Sequence, residues 1–363
     1  MFAPLFLTLA VLSTPVLSRE KCDPLDKDER CAPVPAFAGQ VSFNFTTGNL
    51  VDEFTKFWSV DDEIAKCSSE DQCLIDLDTD GADDKGIALT LWKEGDAAIL
   101  TSHRYLFFGK VSVELQAARG QGAITSIVLK SDSGDEIDWE ILGAYEGQAQ
   151  TNYFHNGKAL YNTYNDTYPI DTSVFSQPHR YTVEWTHRSL ILSIDGIKRK
   201  TWLVGDIPPE KWPQTPMHIE LRTWAVGGEG YDDPGLIAWA GGLPAWDTEA
   251  PFRAYYRWVE VDDYTGYACG GVDGPVEYSY DERMRGWRDV RVGGGCWQRP
   301  ELPGGPAETS SVTPERPETT GKDDGEEPAR ETCTCAGGGS ATLGGGVWWV
   351  SVTLVLMGWM VVV

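Results

Sequence analysis

Basic residues are scarce in this chain of 363 residues: 30 Lys and Arg stand against 55 Asp and Glu, giving a formal net charge of −25. Proteins that hold phosphate backbones or anionic lipid surfaces need an excess of positive charge, so nucleic-acid binding and electrostatic membrane docking are not expected. The five His residues are scattered without metal-ligand spacing, and no C-x2-C pair meets a second such pair. We therefore expect no zinc site and no other metal or cofactor.

Charge is absent from both ends of the chain. Residues 1–18 carry no charged side chain and include an apolar run, a pattern typical of a secretory signal peptide cleaved after Ser18. The apolar tail 347–363 follows a Gly-rich spacer and a run of small residues, which is typical of a glycosylphosphatidylinositol (GPI) anchor signal attached near Gly337. The alternative is a single membrane-spanning helix, for which 17 residues are marginal.

These signals divide the chain into five segments. They are a signal peptide (1–18), a Cys-containing N-terminal segment (19–36), a large strand-rich domain (37–300), a disordered stalk rich in Pro, Gly and Glu (301–336) and an anchor signal that is removed (337–363).

A secreted chain meets an oxidising compartment, which suits eight cysteines. Closeness along the chain favours three disulfides, although sequence alone does not fix the connectivity: Cys22–Cys31, Cys67–Cys73 and Cys269–Cys296. The sequons at Asn44 and Asn165 are short patterns that become plausible glycan sites on exposed segments of a secreted protein.

Long helical periodicity is almost missing from the large domain. Residues 111–115 and 181–185 alternate between apolar and polar, and 190–194 are mostly apolar, as expected of strands. Asp195-Gly196 and Asn156-Gly157 are two-residue hairpin signals. Many short strands at regular spacing predict an all-β fold in which two antiparallel sheets form a sandwich.

One strand carries an unusual pattern, Asp-Glu-Ile-Asp-Trp-Glu-Ile at 135–141. Glu136, Asp138 and Glu140 share one face of this strand, and its apolar residues share the other. Crowded carboxylates cannot all stay ionised, so their pKa values are driven apart. A solvated acidic face on an edge strand is the plain alternative for such a pattern.

The spacing of the acids suits chemistry on a glycosidic bond. The Cα atoms of Glu136 and Glu140 are about 13 Å apart at roughly 3.3 Å per residue. If each side chain leans inward on a concave strand, the carboxyls approach to about 5–6 Å, the separation of retaining rather than inverting glycosidases. Asp138 lies between them and could hydrogen-bond one Glu and tune its ionisation.

These residues and several flanking runs resemble family-16 glycoside hydrolases, and within them the fungal Crh-type chitin–glucan transglycosylases of the cell wall. The matching runs extend over nearly the whole domain: 109–114, 135–143, 150–154, 179–185, 194–196, 223–225 and 234–242.

The resemblance implies a β-jelly-roll sandwich with a substrate cleft on its concave face. It also implies that Glu136 is the nucleophile, Asp138 an auxiliary acid and Glu140 the general acid/base. The secretion and anchor signals match the Crh architecture, which implies a protein attached by lipid to the outer plasma membrane or cell wall. The implied partners are chitin and β-glucan, and we expect a monomer.

Five residues are candidates for sugar contact. Tyr153 and Trp224 lie beside the signature in the resemblance, although an aromatic residue in such a domain more commonly packs in the core. Glu220 and Arg222 share the parity of Trp224 if this segment is a strand. Leu236 stands where Crh-like sequences usually have Thr that contacts acceptor sugar, which leaves the acceptor preference open.

Three functions are compatible with the sequence. A retaining transglycosylase and a hydrolytic endo-β-1,3(4)-glucanase differ only in whether sugar or water accepts the cleaved glycan. A non-catalytic lectin that holds Ca2+ with the acids fits less well, because calcium ligands are commonly six or more oxygens on loops.

Overall fold

The computed structural model describes residues 22–46, 57–60, 72–77, 85–159, 165–265, 276–281 and 284–293, which all belong to one compact unit. Regular structure in this part of the chain is almost entirely β. The nineteen strands, in chain order, are β1 (Val34–Pro35), β2 (Gln40–Asn44), β3 (Trp58–Val60), β4 (Ile75–Asp76), β5 (Ile87–Leu91), β6 (Ala98–Ser102), β7 (Gly109–Gln116), β8 (Ala123–Ser131), β9 (Glu136–Leu142), β10 (Gln148–His155), β11 (Lys158–Ala159), β12 (Asp166–Pro169), β13 (His179–Trp185), β14 (Ser189–Ile194), β15 (Ile197–Leu203), β16 (Met217–Ala225), β17 (Phe252–Asp263), β18 (Glu277–Tyr280) and β19 (Val290–Gly293).

Four short helical segments lie wholly within the described ranges. They are the α-helices α1 (Pro234–Trp239) and α2 (Trp246–Glu249) and the 3-10 turns Pro209–Lys211 and Trp287–Asp289. None of these segments is long and apolar enough to cross a membrane.

The strands form two eight-stranded antiparallel sheets. The first, here called the acid sheet, has the order β11-β10-β9-β8-β16-β6-β3, with β12 beside β10. The second, here called the back sheet, has the order β15-β14-β13-β7-β17-β5-β4, with β2 beside β17. The predicted strands 111–115, 181–185 and 190–194 are confirmed in β7, β13 and β14.

Both predicted hairpins are confirmed. Asp195 (φ 52°) and Gly196 (φ 76°) join β14 to β15, and Asn156 (φ 50°) and Gly157 (φ 69°) join β10 to β11. Positive φ at both central residues is the requirement of a turn that matches strand twist, which Asn, Asp and Gly tolerate best.

The core lies between the two sheets. Trp139 of the acid sheet is fully buried, its indole N–H donates to the Thr182 carbonyl of the back sheet at 3.2 Å, and its ring lies 5.6 Å from that of Tyr181. From the back sheet, the hydroxyl of Tyr256 donates to the carbonyls of Ser126 and Arg222 in the acid sheet. Hydrogen bonds of buried polar groups therefore fix one sheet on the other.

A third sheet, β1-β18-β19, was not predicted. Its strand β1 lies in the N-terminal segment 19–36, and Val34 and Ala36 are fully buried in the main core. The N-terminal segment therefore packs as part of the domain. Its apolar residues are too few and too close to Pro for periodicity to reveal a strand.

Some predictions concern residues beyond the described ranges. The signal peptide, the stalk 301–336, the anchor segment with Gly337, and Cys67, Cys269 and Cys296 are among them. The Cys22–Cys31 disulfide is confirmed, and Cys73 is also disulfide-bonded. Asn44 and Asn165 are both exposed.

Candidate active site

A β-hairpin presents the three acids on the outer face of the acid sheet. β8 and β9 pair so that Glu136 faces Lys130, Asp138 faces Val128 and Glu140 faces Ser126. The turn between them needs Gly134 (φ 85°), where an added Cβ would lie 2.7 Å from the Gly157 amide nitrogen.

The opposite face of β9 is core, as predicted from parity. Its residues are between 0% and 1% exposed: Ile137, Trp139 and Ile141. The burial of these side chains fixes the register, since a shift of one residue would turn the acids inward.

The strand register places the outward residues of four strands in rows across β10, β9, β8 and β16. The first row is Phe154, Glu136, Lys130 and His218, the second is Asn152, Asp138, Val128 and Glu220, the third is Gln150, Glu140, Ser126 and Arg222, and the fourth, without a residue of β10, is Leu142, Ile124 and Trp224. Four carboxyl groups and two strong cations thus share one face.

Glu136 forms an ion pair with Lys130. The Lys130 Nζ lies 3.0 Å from Glu136 Oε2, and the two side chains are only 15% and 14% exposed. A charge-assisted hydrogen bond of this length in a shielded position favours the ionised carboxylate and restricts its orientation.

Burial works against ionisation of the other two acids. The pKa of Glu140 is raised to about 8, mainly by burial and then by the charge of Glu136, while Arg222 and an Asn152 hydrogen bond oppose the rise. Burial likewise raises the pKa of Asp138 well above its ordinary value, and its two Glu neighbours add to the rise. At neutral pH, the Glu140 carboxyl therefore keeps its proton, two residues along the strand face from Asp138 and beyond it from the ion-paired Glu136.

The expected hydrogen bond from Asp138 to a Glu is not made through Asp138 Oδ1, which has no partner among the described residues. The two Glu residues act on the Asp138 carboxyl through their charges, which raise its pKa. Ser126 Oγ and Arg222 Nε on the same face are also buried without a hydrogen-bond partner in this part of the chain. Buried polar atoms of this kind commonly serve a ligand or bound water.

Glu220 and Arg222 lie on the acid face, as their parity predicts, but they bind each other. Arg222 Nη2 contacts Glu220 Oε2, and His218 Nε2 lies 2.7 Å from Glu220 Oε1. Burial lowers the pKa of His218 to about 4, with Asp132 opposing that shift and Arg222 and Lys130 reinforcing it, so the imidazole is neutral. Glu220 is thereby fixed between two neighbours.

An aromatic wall closes the Leu142 end of the face. Helix α1 packs on Ile124 and Leu142, and Asp233 caps it by accepting from two of its backbone amides. The Trp239 ring stacks on Trp224 at 6.3 Å between centroids, and its N–H donates to Gln150 Oε1 at 2.8 Å.

Two further residues belong to this wall. Tyr231 lies 5.1 Å from Trp224, and Leu236 is a partly buried member of the same cluster. Trp224 and Leu236 therefore belong to one cluster at the Leu142 end of the acid face.

Tyr153 is not on the acid face, so its assignment to sugar contact is corrected. It pairs with Ile137 across β9 and β10 and is 1% exposed, with its hydroxyl donating to the Lys211 carbonyl. Parity could have shown this, since position 153 lies opposite an inward residue whereas 152 and 154 face outward.

Several residues of the face were not proposed from the sequence: Lys130, His218, Gln150, Tyr231 and Trp239. A signal for Lys130 was present, because folding the chain about the Ser133-Gly134 turn brings position 130 opposite 136. The wall residues had no comparable signal, since they reach the face through a loop and a helix of six residues.

Among the described residues, one cluster brings three potential metal-ligand atoms close together: those of Cys22, Glu29 and Cys31. Both of its cysteines are consumed by the disulfide, so neither offers a thiolate.

Comparison with known proteins agrees with this geometry. The model of the glycosyl hydrolases family 16 matches residues 65–241, a range that includes all three acids. Crh-like protein 1 of Aspergillus fumigatus is 37% identical over 260 residues, 71% of this chain and 69% of that protein. The chain belongs to this family.

Two further comparisons extend the assignment. Crh-like protein 5 of Aspergillus fumigatus is 34% identical over 76% of this chain, which spans 62% of the length of that relative. A solved structure described as Crh5 transglycosylase in complex with NAG has a TM-score of 0.59 and 31% identity, covering 75% of this chain and 99% of that one. The sandwich is the β-jelly roll that the resemblance implied.

Proposed function

We propose that this chain is a retaining transglycosylase of the fungal cell wall, which cleaves a chitin-type β-1,4 glycan and transfers it to a β-glucan or chitin acceptor. The observation that carries the proposal is the pair of carboxyls two rows apart on one strand face. Glu136 is ion-paired with Lys130, and the pKa of Glu140 is raised to about 8. Retaining glycosidases need one nucleophilic carboxylate and one protonated carboxylic acid.

In the first step, a Glu136 oxygen attacks the anomeric carbon of the donor. The bond between that carbon and the glycosidic oxygen breaks, and the proton of Glu140 moves to the leaving oxygen. The products are a glycosyl ester on Glu136 and a free sugar hydroxyl. Burial and the two neighbouring Glu residues raise the pKa of Asp138, which opposes further negative charge on the face while this occurs.

In the second step, Glu140 has lost its proton and acts as a base. It takes the proton of an acceptor hydroxyl, whose oxygen forms a bond to the anomeric carbon as the bond to Glu136 breaks. A sugar acceptor gives transfer and water gives hydrolysis. The balance depends on how well the acceptor region binds sugar relative to water.

Chitin-type donors are favoured by the solved relative described as a transglycosylase in complex with NAG, because N-acetylglucosamine is the chitin unit. The wall built by Trp224, Trp239 and Tyr231 offers apolar ring faces for stacking on pyranose rings. The unpartnered Ser126 Oγ and Arg222 Nε offer polar atoms to sugar hydroxyls in the row of Glu140.

Leu236 bears on the acceptor. A Leu side chain cannot hydrogen-bond a sugar hydroxyl, so we expect the acceptor to be held here by apolar contact.

The test is incubation of the purified domain with a chito-oligosaccharide and a fluorescent laminari-oligosaccharide, followed by mass spectrometry. The proposal predicts fluorescent products lengthened by N-acetylglucosamine units, which are lost in Glu136→Gln. Products that only become shorter would establish the hydrolase instead. Full activity in Glu136→Gln would contradict the mechanism for both.

We further propose that the protein acts as a lipid-anchored, N-glycosylated monomer at the outer plasma membrane or cell wall. The exposure of Asn44 and Asn165 supports glycan attachment at both sequons. Release of the protein from membranes by a phosphatidylinositol-specific phospholipase, and a fall in mass after endoglycosidase treatment, are the expected results. A protein that stays with the membrane after the lipase would contradict the anchor.

A further inference from the structure

Lys130 occupies a position that the mechanism above leaves without a task. It faces Glu136 directly across β8 and β9, with its Nζ 3.0 Å from Glu136 Oε2. On its other side, across β16, it faces His218, which is neutral and bound to Glu220. Glu136 is therefore the carboxylate that the register and the ion pair assign to this ammonium group.

The charge on Glu136 changes during the reaction. It is a carboxylate in the free enzyme, a neutral ester in the glycosyl intermediate, and a carboxylate again after the acceptor has attacked. A fixed cation beside this group stabilises it whenever it is negative. Since the charge appears during the second step, the cation lowers the barrier to that step, as a preorganised charge does for any developing anion.

In the first step the same cation acts in the other direction. It stabilises the full carboxylate of the starting state more than the partial charge of the transition state, so it does not speed the attack. Its effect is therefore different for the two halves of the reaction.

We propose that Lys130 is a positioning residue that speeds breakdown of the covalent intermediate by stabilising the departing Glu136 carboxylate. The proposal rests on the proposed function, because it needs the ester on Glu136. In the step concerned, the acceptor oxygen bonds to the anomeric carbon, the electron pair of the broken bond goes to Glu136, and the acceptor proton goes to Glu140. Lys130 keeps its proton throughout.

The test compares Lys130→Met, which removes the charge but keeps the length of the side chain, with Lys130→Arg, which keeps the charge. Donor turnover is stopped by acid, and the fraction of enzyme carrying a covalent glycan is measured by intact-protein mass spectrometry. Lys110→Met, on the outer face of the back sheet, is the matched control.

In Lys130→Met we expect the glycosyl-enzyme to become the main species at saturating donor. Both kcat and KM should fall by roughly tenfold, the scale of one lost charge-assisted hydrogen bond. Lys130→Arg should restore turnover and keep the intermediate scarce, and Lys110→Met should match the wild type. Raising the acceptor concentration should drain the accumulated intermediate.

A fall in kcat/KM without accumulation of the intermediate would overturn the proposal, because Lys130 would then matter only for folding or for the first step. Lys130→Gln, an uncharged and polar replacement, should show the same accumulation and covers the case in which Lys130→Met does not fold. If the wild type forms no glycosyl-enzyme and no products at all, the proposed function fails. Unchanged partitioning in an active Lys130→Met defeats this inference alone.

Discussion

The two outer faces of the sandwich use similar residues for different ends. On the back sheet, Glu114 pairs with Arg257 at 2.7 Å, Ser112 bonds Thr182, and Arg180 covers the ring of Trp258 at 4.1 Å. In each of these three contacts, a charged or polar group has a partner of opposite charge or a neutral partner. On the acid sheet, four carboxyls occupy neighbouring rows with two cations among them.

The difference lies in crowding and cover rather than in residue type. Helix α1 and its aromatic neighbours shield one end of the acid face, and burial is the main cause of the raised pKa values of Asp138 and Glu140. Carboxyls that share a poorly solvated surface cannot all ionise, whereas a carboxylate with its own Arg in solvent is an ordinary surface ion pair. Only the crowded carboxyls of the acid sheet are therefore suited to acid–base chemistry.

The largest difference between the two faces is expected when Glu136→Gln, on the acid sheet, is compared with Glu114→Gln, on the back sheet. The first removes the nucleophile while keeping a side chain that can still accept from Lys130, and it should reduce donor cleavage by more than the roughly 10²–10⁴-fold typical of a single acid–base group. The second should leave cleavage unchanged. Product formation by both variants, measured by chromatography of labelled oligosaccharides, checks the pair, and equal losses would show that the faces do not differ in function.

Glu140 gives the next largest effect, and it is tied to pH. Since the pKa of Glu140 is about 8, its acidic form dominates below that pH and is lost above it, so cleavage should fall about tenfold per unit above pH 8. Glu140→Gln should lose roughly 10²–10⁴-fold in rate at pH 6 and should lack this alkaline decline. A wild-type decline that begins near pH 5 would contradict the assignment.

Trp224→Ala sharpens the comparison between aromatic side chains. Trp224 belongs to the proposed sugar wall, and Trp258 lies on the back sheet under Arg180. We expect Trp224→Ala to reduce kcat/KM for a chito-oligosaccharide by roughly tenfold, the upper scale of one ring-stacking contact, mainly through KM. Trp258→Ala should leave both constants unchanged, and a comparable loss in the two variants would remove the wall from the substrate path.

The smallest effect concerns stability. In the unfolded chain Glu140 ionises near its ordinary pKa of 4.5, but in the folded protein it does so near 8. As pH rises, Glu140 therefore ionises in the unfolded chain before it ionises in the folded protein, which lowers the free energy of the unfolded state. The free energy of unfolding consequently falls between about pH 4.5 and about pH 8. Glu140→Gln should remove that loss and raise Tm at pH 8.5 by a few degrees, about 2–4 °C for each kcal/mol regained.

The first control is to measure the Tm gain of Glu140→Gln at a second, acidic pH. At pH 4 the gain should vanish, because wild-type Glu140 is then protonated in both states. Glu114→Gln, which loses an ion pair to Arg257, should gain nothing at either pH. A Glu140→Gln variant that is less stable than the wild type at pH 8.5 would contradict the burial argument. Differential scanning calorimetry measures all three proteins.

The sequence predicted the acid strand well because parity is local. The period of two in β9 predicts that its three acids point outward and its three apolar residues point inward. Trp139 is a core residue, as expected. Tyr153 was misplaced because its position beside the signature was given more weight than its own parity. Val34 and Ala36 were left outside the domain because a two-residue strand carries no periodicity.

What the sequence could not supply is set by contacts between distant segments. Gln150 and Trp239 are 89 positions apart and meet only because α1 folds over the end of β9. The raised pKa of Glu140 depends on its burial in the folded sheet and on the charge of Glu136, and burial cannot be deduced from a short stretch of sequence. The position of Lys130 was partly predictable, because knowledge of the turn at Ser133-Gly134 would have placed it opposite Glu136.

Infrared difference spectroscopy of the wild type against Glu140→Gln, with 13C-labelled glutamate, reports directly on the ionisation of this carboxyl. A pKa of about 8 for Glu140 predicts a carboxylic C=O band of this residue that persists through pH 7 and disappears with a midpoint near pH 8. A band that is already absent at pH 6, with the enzyme active there, would contradict the account.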